Sequence, residues 1–173
     1  MEPAMEKLET VSPADLIDYI LRRYHEPLYG EMAQALKDAK TLAEQPNEPK
    51  QKLAELHKLL AELWTELEPH LLKEERILFP MIRNAAEASA AGRPVFPPPH
   101  HIVGGPIAVM KMDHLRADEI QNALIELTAD ILGNAGTSAA LKTLCEAVRK
   151  MEADLREHIR IEEEHIFPAV DNF

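Results

Sequence analysis

The chain has 173 residues, enough for one domain with a real core; 46% are hydrophobic, only 5% aromatic, and the formal net charge is −11. That acidic balance argues against a nucleic-acid backbone as partner, and no basic amphipathic stretch points to a membrane surface. The opening MEPAMEKLET lacks the basic start and apolar run of a secretory signal, no apolar run approaches the roughly 20 residues that span a bilayer, and the single Cys145 excludes an intrachain disulfide. A cytoplasmic location is the expectation.

Abundant Ala, Leu, Glu and Lys favour helix, and Pro and Gly divide the chain into four helical segments. The first opens at SPAD, with Ser12 as N-cap, Pro13 at the first helical position and Asp15 in the first turn, and runs to about Ala43. The second starts near Pro49, carries an apolar stripe at Leu53, Leu56, Leu60, Leu63, Leu67 and Leu71, and ends before AGRPVFPPPH. Pro69 lies inside it, directly before His70, where it removes one backbone hydrogen bond and is expected to bend the helix. The third segment is expected to follow Gly104–Pro106 and stop near Gly133, and the fourth to run from about Thr137 to the C-terminus. Four long helices with short connections predict an all-α, up-down-up-down four-helix bundle forming one domain over 1–173.

Two stretches read almost as one phrase: HLLKEERILFP at 70–80 and HIRIEEEHIFP at 158–168, offset by 88 residues. Of the eight histidines, His25, His70, His114 and His158 fall at intervals of 45, 44 and 44, one in each predicted helix. In an antiparallel bundle such spacing brings all four to one level. His70 and Glu74, like His158 and Glu162, are one turn apart on one helix face. The second and fourth helices lie on a diagonal, so Glu74 and Glu162 meet at the axis while His25 and His114 arrive from the other two.

Four imidazoles and two carboxylates facing inward suit two metal ions, with the carboxylates bridging and two imidazoles on each ion. Hard oxygen with borderline nitrogen favours iron or manganese. With a bridging oxide or hydroxide added, each ion keeps an open position for dioxygen or nitric oxide. A single His-x-x-x-Glu is ordinarily a solvated surface pair, but two copies sharing a trailing Phe-Pro, in step with two further histidines, are not explained that way. The Glu-x-x-His spacing of ferritin-like sites occurs only at Glu162–His165, and HExxH is absent.

Other groups are candidates to stand behind the ligands. Glu66 and Asp154 precede His70 and His158 by four residues, and Asp113 adjoins His114. Each could orient an imidazole. His165 continues the inward stripe where the first copy has Ile77, and is a candidate for the same outer layer or for a proton donor. His57, His100 and His101 are expected at the surface, and Tyr24 and Trp64 in the core.

The stretches RYHEPL (23–28), HLLKEERILFPMI (70–82), GPIAVMKMDH (105–114) and HIRIEEEHIFP (158–168) resemble the hemerythrin-like iron–sulfur cluster repair proteins, over about residues 15–170. The resemblance implies a hemerythrin-like bundle holding two iron ions on His25, His70, Glu74, His114, His158 and Glu162. It further implies repair or protection of iron–sulfur clusters damaged by nitric oxide or oxidants, by binding or reducing nitric oxide or by donating iron. Oxygen-carrying hemerythrins are similar but place a fifth histidine where this chain has Asp118. Many family members also carry an N-terminal domain with paired cysteines, and a Val-His-Gly stretch where this chain reads LAEQPNEP; neither occurs here. A non-catalytic sensor or reservoir for dioxygen, nitric oxide or iron is the alternative reading.

Overall fold

A computed structural model describes residues 11–94 and 99–170, with side chains for all of these except 99–102. His100 and His101, and the middle of the Pro-rich loop, therefore lie outside the described side chains. The chain forms four helical rods. The first is α1 (Pro13–Ile20), a π-helical turn (Leu21–His25) and α2 (Glu26–Ala43); the second is α3 (Lys50–Lys73), a π-helical turn (Glu74–Leu78) and α4 (Phe79–Ala90). The third is α5 (Pro99–Leu132) alone. The fourth is α6 (Ala139–Ile161), a π-helical turn (Glu162–Ile166) and α7 (Phe167–Ala169). No strand occurs among the described residues.

Local chemistry starts the rods where expected. The Ser12 hydroxyl accepts from the Asp15 amide and Ser138 from Leu141, each satisfying an otherwise orphaned donor of the first turn. The ion pairs fix the directions. Lys52–Asp130 and Lys73–Asp113 run antiparallel between the second and third rods, and Arg23–Asp154 and Lys150–Glu31 between the first and fourth. Each rod packs on two neighbours, closing an all-α, up-down-up-down bundle.

The Leu53, Leu56, Leu60, Leu63, Leu67 and Leu71 stripe is fully buried and forms, with Leu124, Leu141 and Leu155, an apolar plug. A second plug at the other end joins Leu16, Ile17, Ile20, Phe79, Ile82 and Phe167. Between the two plugs lies a single polar layer, made of the six residues singled out by the spacing.

The third rod begins earlier than expected. Gly104, Gly105 and Pro106 lie inside α5 rather than before it. Continuing the helix upstream buries Val103 in the second plug, and that packing outweighs the local breakers. Gly105 is exposed, and a Cβ built there meets nothing within 4 Å. Gly105→Ala should therefore stabilise the protein by about 0.5–1 kcal/mol in denaturant unfolding, the ordinary helix-interior difference between Ala and Gly. No gain would mean that Gly105 ends a loop instead.

Pro69 sits inside α3 without ending it, and the departure from α-helical winding comes one turn later. All three π-helical turns share one cause. The amides of Glu26, Phe79 and Phe167 reach back five residues, to the carbonyls of Leu21, Glu74 and Glu162, and each is followed directly by a proline: Pro27, Pro80 and Pro168. A proline ring in a regular helix collides with the carbonyl four residues back, and widening the turn by one residue relieves it. The Phe-Pro that closes each copy of the repeated phrase is thus the origin of the wide turn. Each such turn begins or ends on a residue of the polar layer: His25, Glu74 or Glu162.

Candidate metal centre

His25, His70, Glu74, His114, His158 and Glu162 converge in one cluster, and none is more than 4% exposed. Their inward atoms form two groups of four, His25–Glu74–His158–Glu162 and His70–Glu74–His114–Glu162, within 4.8 Å of one another in each. Both carboxylates belong to both groups. Glu74 turns Oε2 toward His25 Nε2 (3.5 Å) and His158 Nε2 (3.9 Å) and Oε1 toward His70 Nε2 (3.1 Å). Glu162 turns Oε1 toward His158 Nε2 (2.9 Å) and Oε2 toward His114 Nε2 (3.3 Å).

Three of the four remaining ring nitrogens face carboxylates from a neighbouring rod. His25 Nδ1 lies 3.0 Å from Glu75 Oε1, and His114 Nδ1 lies 2.8 Å from Glu163 Oε1. His70 Nδ1 is 3.6 Å from Asp113 Oδ2, an ion-pair distance just beyond hydrogen-bond length. An Nδ1–H donated outward leaves the Nε2 lone pair pointing at the axis, the tautomer a metal ligand needs. Phe79 covers the His25 ring at 5.8 Å, and Phe167 lies parallel to the His114 ring at 6.1 Å.

Every shared letter of the repeated phrase now has a place. The His and first Glu enter the cluster, and the second Glu backs the histidine of an adjacent rod. The Phe covers that same ring, and the Pro sets the turn. Glu75 and Glu163 had been visible as the doubled Glu of each copy, but nothing in the linear sequence said what they would touch.

Of the four outer candidates, Asp113 stands behind His70 rather than beside its sequence neighbour His114. Asp154 instead pairs with Arg23 and Lys150, and among the described residues Glu66 contacts none of the four histidines. The reason is geometric. The outward nitrogens look across to the next rod, so their partners come from that rod and not from one turn away on the same one. His165 is half-buried. His57 is half-buried as well, and Tyr24 and Trp64 pack as apolar side chains, Trp64 edge-on to Tyr29 at 5.3 Å. Gln121, seven residues beyond His114, was not anticipated. It is fully buried, neither amide atom has a hydrogen-bond partner, and it lines an open hollow beside His114 and Glu163. A second hollow reaches His25 on the first rod and Glu75 on the second.

The electrostatics are those of a cluster waiting for positive charge. Burial drives the His25 imidazole down to about 3, so its ring is neutral. Burial also opposes a charge on His114, but its contacts with Glu162 and Glu163 and the charge of Glu74 hold it up at about 9. Burial and the charge of Glu162 raise the Glu74 carboxyl. Glu162 itself, despite burial, is held below the usual range by His158 and His114.

Both Glu74 oxygens, Glu162 Oε2 and His114 Nε2 are buried with no hydrogen bond satisfying them. Such orphaned groups are costly, at about 1–3 kcal/mol each. The Nε2 atoms of His25 and His158 face each other at 3.1 Å, as two lone pairs directed at a shared cation would. Donor types and placement therefore fit a pair of bound metal ions.

The family model described as the hemerythrin HHE cation binding domain matches residues 16–170. The chain belongs to that family. This hemerythrin-domain chain is also 32% identical over 171 residues to the iron-sulfur cluster repair protein YtfE of Salmonella schwarzengrund (strain CVM19633), an alignment covering 96% of this chain and 70% of the relative. The proteins of that name from Salmonella paratyphi B (strain ATCC BAA-1250 / SPB7) and Salmonella newport (strain SL254) match with the same identity and coverage. No helix among the described residues is long and apolar enough to cross a membrane.

Proposed function

We propose that this protein holds two iron ions in the polar layer and serves to repair or protect iron–sulfur clusters damaged by nitric oxide or oxidants. The observation that carries the reading is the sharing of Glu74 and Glu162 between two four-residue groups, each completed by two imidazoles. His25 and His158 would hold one ion and His70 and His114 the other, with both carboxylates common to the two. Bound there, a pair of iron ions supplies redox chemistry and positions for small diatomic ligands such as nitric oxide or dioxygen.

The chain's own residues supply the rest. Glu75 and Glu163 fix the tautomers of His25 and His114, and the two apolar plugs keep bulk water from the axis. The hollows beside His25 and His114 give small molecules a way in. The repair role itself rests on the relatives' names, and damaged iron–sulfur proteins are the partners it implies.

A direct test incubates the iron-loaded protein with a nitric-oxide-treated iron–sulfur enzyme and follows its recovered activity. Recovery that depends on loaded iron supports repair. Tight iron and nitric oxide binding without recovery would favour a sensor or reservoir instead.

A further inference from the structure

The two halves of the polar layer follow the internal repeat closely, which makes one departure conspicuous. An offset of 88 or 89 residues carries His25 onto His114, His70 onto His158, Glu74 onto Glu162, Glu75 onto Glu163 and Phe79 onto Phe167. The geometry follows. The His25 and His158 rings lie 4.7 Å apart at 70°, and the His70 and His114 rings 4.9 Å apart at 61°.

The same offset carries Tyr24 onto Asp113 and Lys73 onto Ile161. Behind His70 stands a carboxylate, Asp113, itself held by Lys73 Nζ at 2.6 Å and flanked by Arg116 at 3.8 Å. Behind His158 stands an aromatic ring. Tyr24 lies nearly parallel to that imidazole, 5.8 Å between centroids at 14°, and Ile161 is buried in the second plug. Neither His70 Nδ1 nor His158 Nδ1 makes a hydrogen bond, but the first has the Asp113 carboxylate at 3.6 Å, whereas among the described residues no carboxylate lies within ion-pair distance of the second. Three of the four imidazoles therefore face a carboxylate with their outer nitrogen, and the fourth does not.

A carboxylate behind a ligating imidazole fixes its orientation and raises its basicity, and losing such a partner typically costs 10–100-fold in metal affinity. We infer that the two metal positions are unequal: the one between His70 and His114 retains its ion, while the one between His25 and His158 exchanges it, because Tyr24 and Ile161 replace the Asp113–Lys73 pair. The inference rests on the reading that the layer holds two metal ions, and it places the exchangeable ion on one identified side of the site. If the protein gives up iron to a damaged cluster, that ion leaves first.

The test loads the protein anaerobically with two equivalents of ferrous iron and follows release to a chromogenic ferrous chelator. Two phases of one iron each are expected, with rates separated by about 10–100-fold. Asp113→Asn should speed the slow phase toward the fast one and leave the fast phase alone. Tyr24→Asp, which puts a carboxylate behind His158, should slow the fast phase, whereas Tyr24→Phe should leave it unchanged. His158→Ala should delete the fast phase and His70→Ala the slow one.

Circular dichroism checks that each variant is folded, and should Tyr24→Asp not fold, wild type and Asp113→Asn decide the matter. Release of both irons in one phase overturns the inference, as does an Asp113→Asn variant whose fast phase accelerates while the slow one stands still. Failure to bind two irons at all would instead sink the two-metal reading beneath it.

Discussion

Glu74→Ala and Glu162→Ala should each abolish binding of both metal ions, whereas Glu75→Gln, one residue along, should leave two ions bound at saturating metal. Each of the two carboxylates belongs to both four-residue groups, so neither group survives its loss intact. The two are also fully buried, and they are the only carboxylates facing the inward nitrogens among the described residues. Without one of them, a pair of divalent ions would sit in a low-dielectric core with half its neutralising charge removed. Burying charge without that compensation costs several kcal/mol. Glu75 meets only the outer nitrogen of His25, from a half-exposed position, so its neutralisation should weaken binding by about 10–100-fold and no more. Metal analysis after gel filtration, with a competing chelator to rank affinities, separates these outcomes. Two irons retained in either Ala variant would overturn the bridging assignment.

Removing the metal should destabilise the fold, increasingly so as pH rises. In the metal-free protein the imidazole of His114 is held up at about 9, against about 6.5 in the unfolded chain. Its contribution is fully present below pH 6.5 and is lost as pH rises toward 9, because there the folded state binds a proton that the unfolded state does not. His70 is raised as well, burial being outweighed by the charge of Glu74, and acts in the same direction. The slope from each such group is at most about 1.4 kcal/mol per pH unit. Bound metal reverses the trend. It displaces these protons, so its affinity increases with pH while the metal-free fold weakens. Denaturant unfolding of loaded and chelator-stripped protein at pH 6.5 and 8.5 should show the gap between them widening with pH. A gap that narrowed would mean His114 is not protonated in the empty site.

Much of this is legible in the sequence. The leucine stripe, the Ser12 cap and the equal histidine intervals are properties of single helices, whose periodicity and rise are the same in every protein. Because i and i+4 must share a face, His70 with Glu74 and His158 with Glu162 could be paired on paper. Up-down topology then brought His25 and His114 to the same level.

The misses share a different origin. The start of α5 upstream of Gly104–Pro106 was settled by Val103 finding room in the distant plug of Leu16, Ile17 and Phe79, a contact that local propensity does not see. The outer partners of the imidazoles depend on how each rod is rotated against the next. Glu66 and Asp154, chosen by spacing along one helix, fell away from the rings, and Glu75 and Glu163 reached them across a rod boundary. The inequality of the two halves went unread for the same reason. Along the repeated phrase the visible difference is His165 opposite Ile77, while the difference that reaches a ligand is Tyr24 opposite Asp113. Helical periodicity is written along the chain and could be read there. Which side chain stands behind a ring is a matter of lateral packing between rods, and it took the assembled bundle to show it.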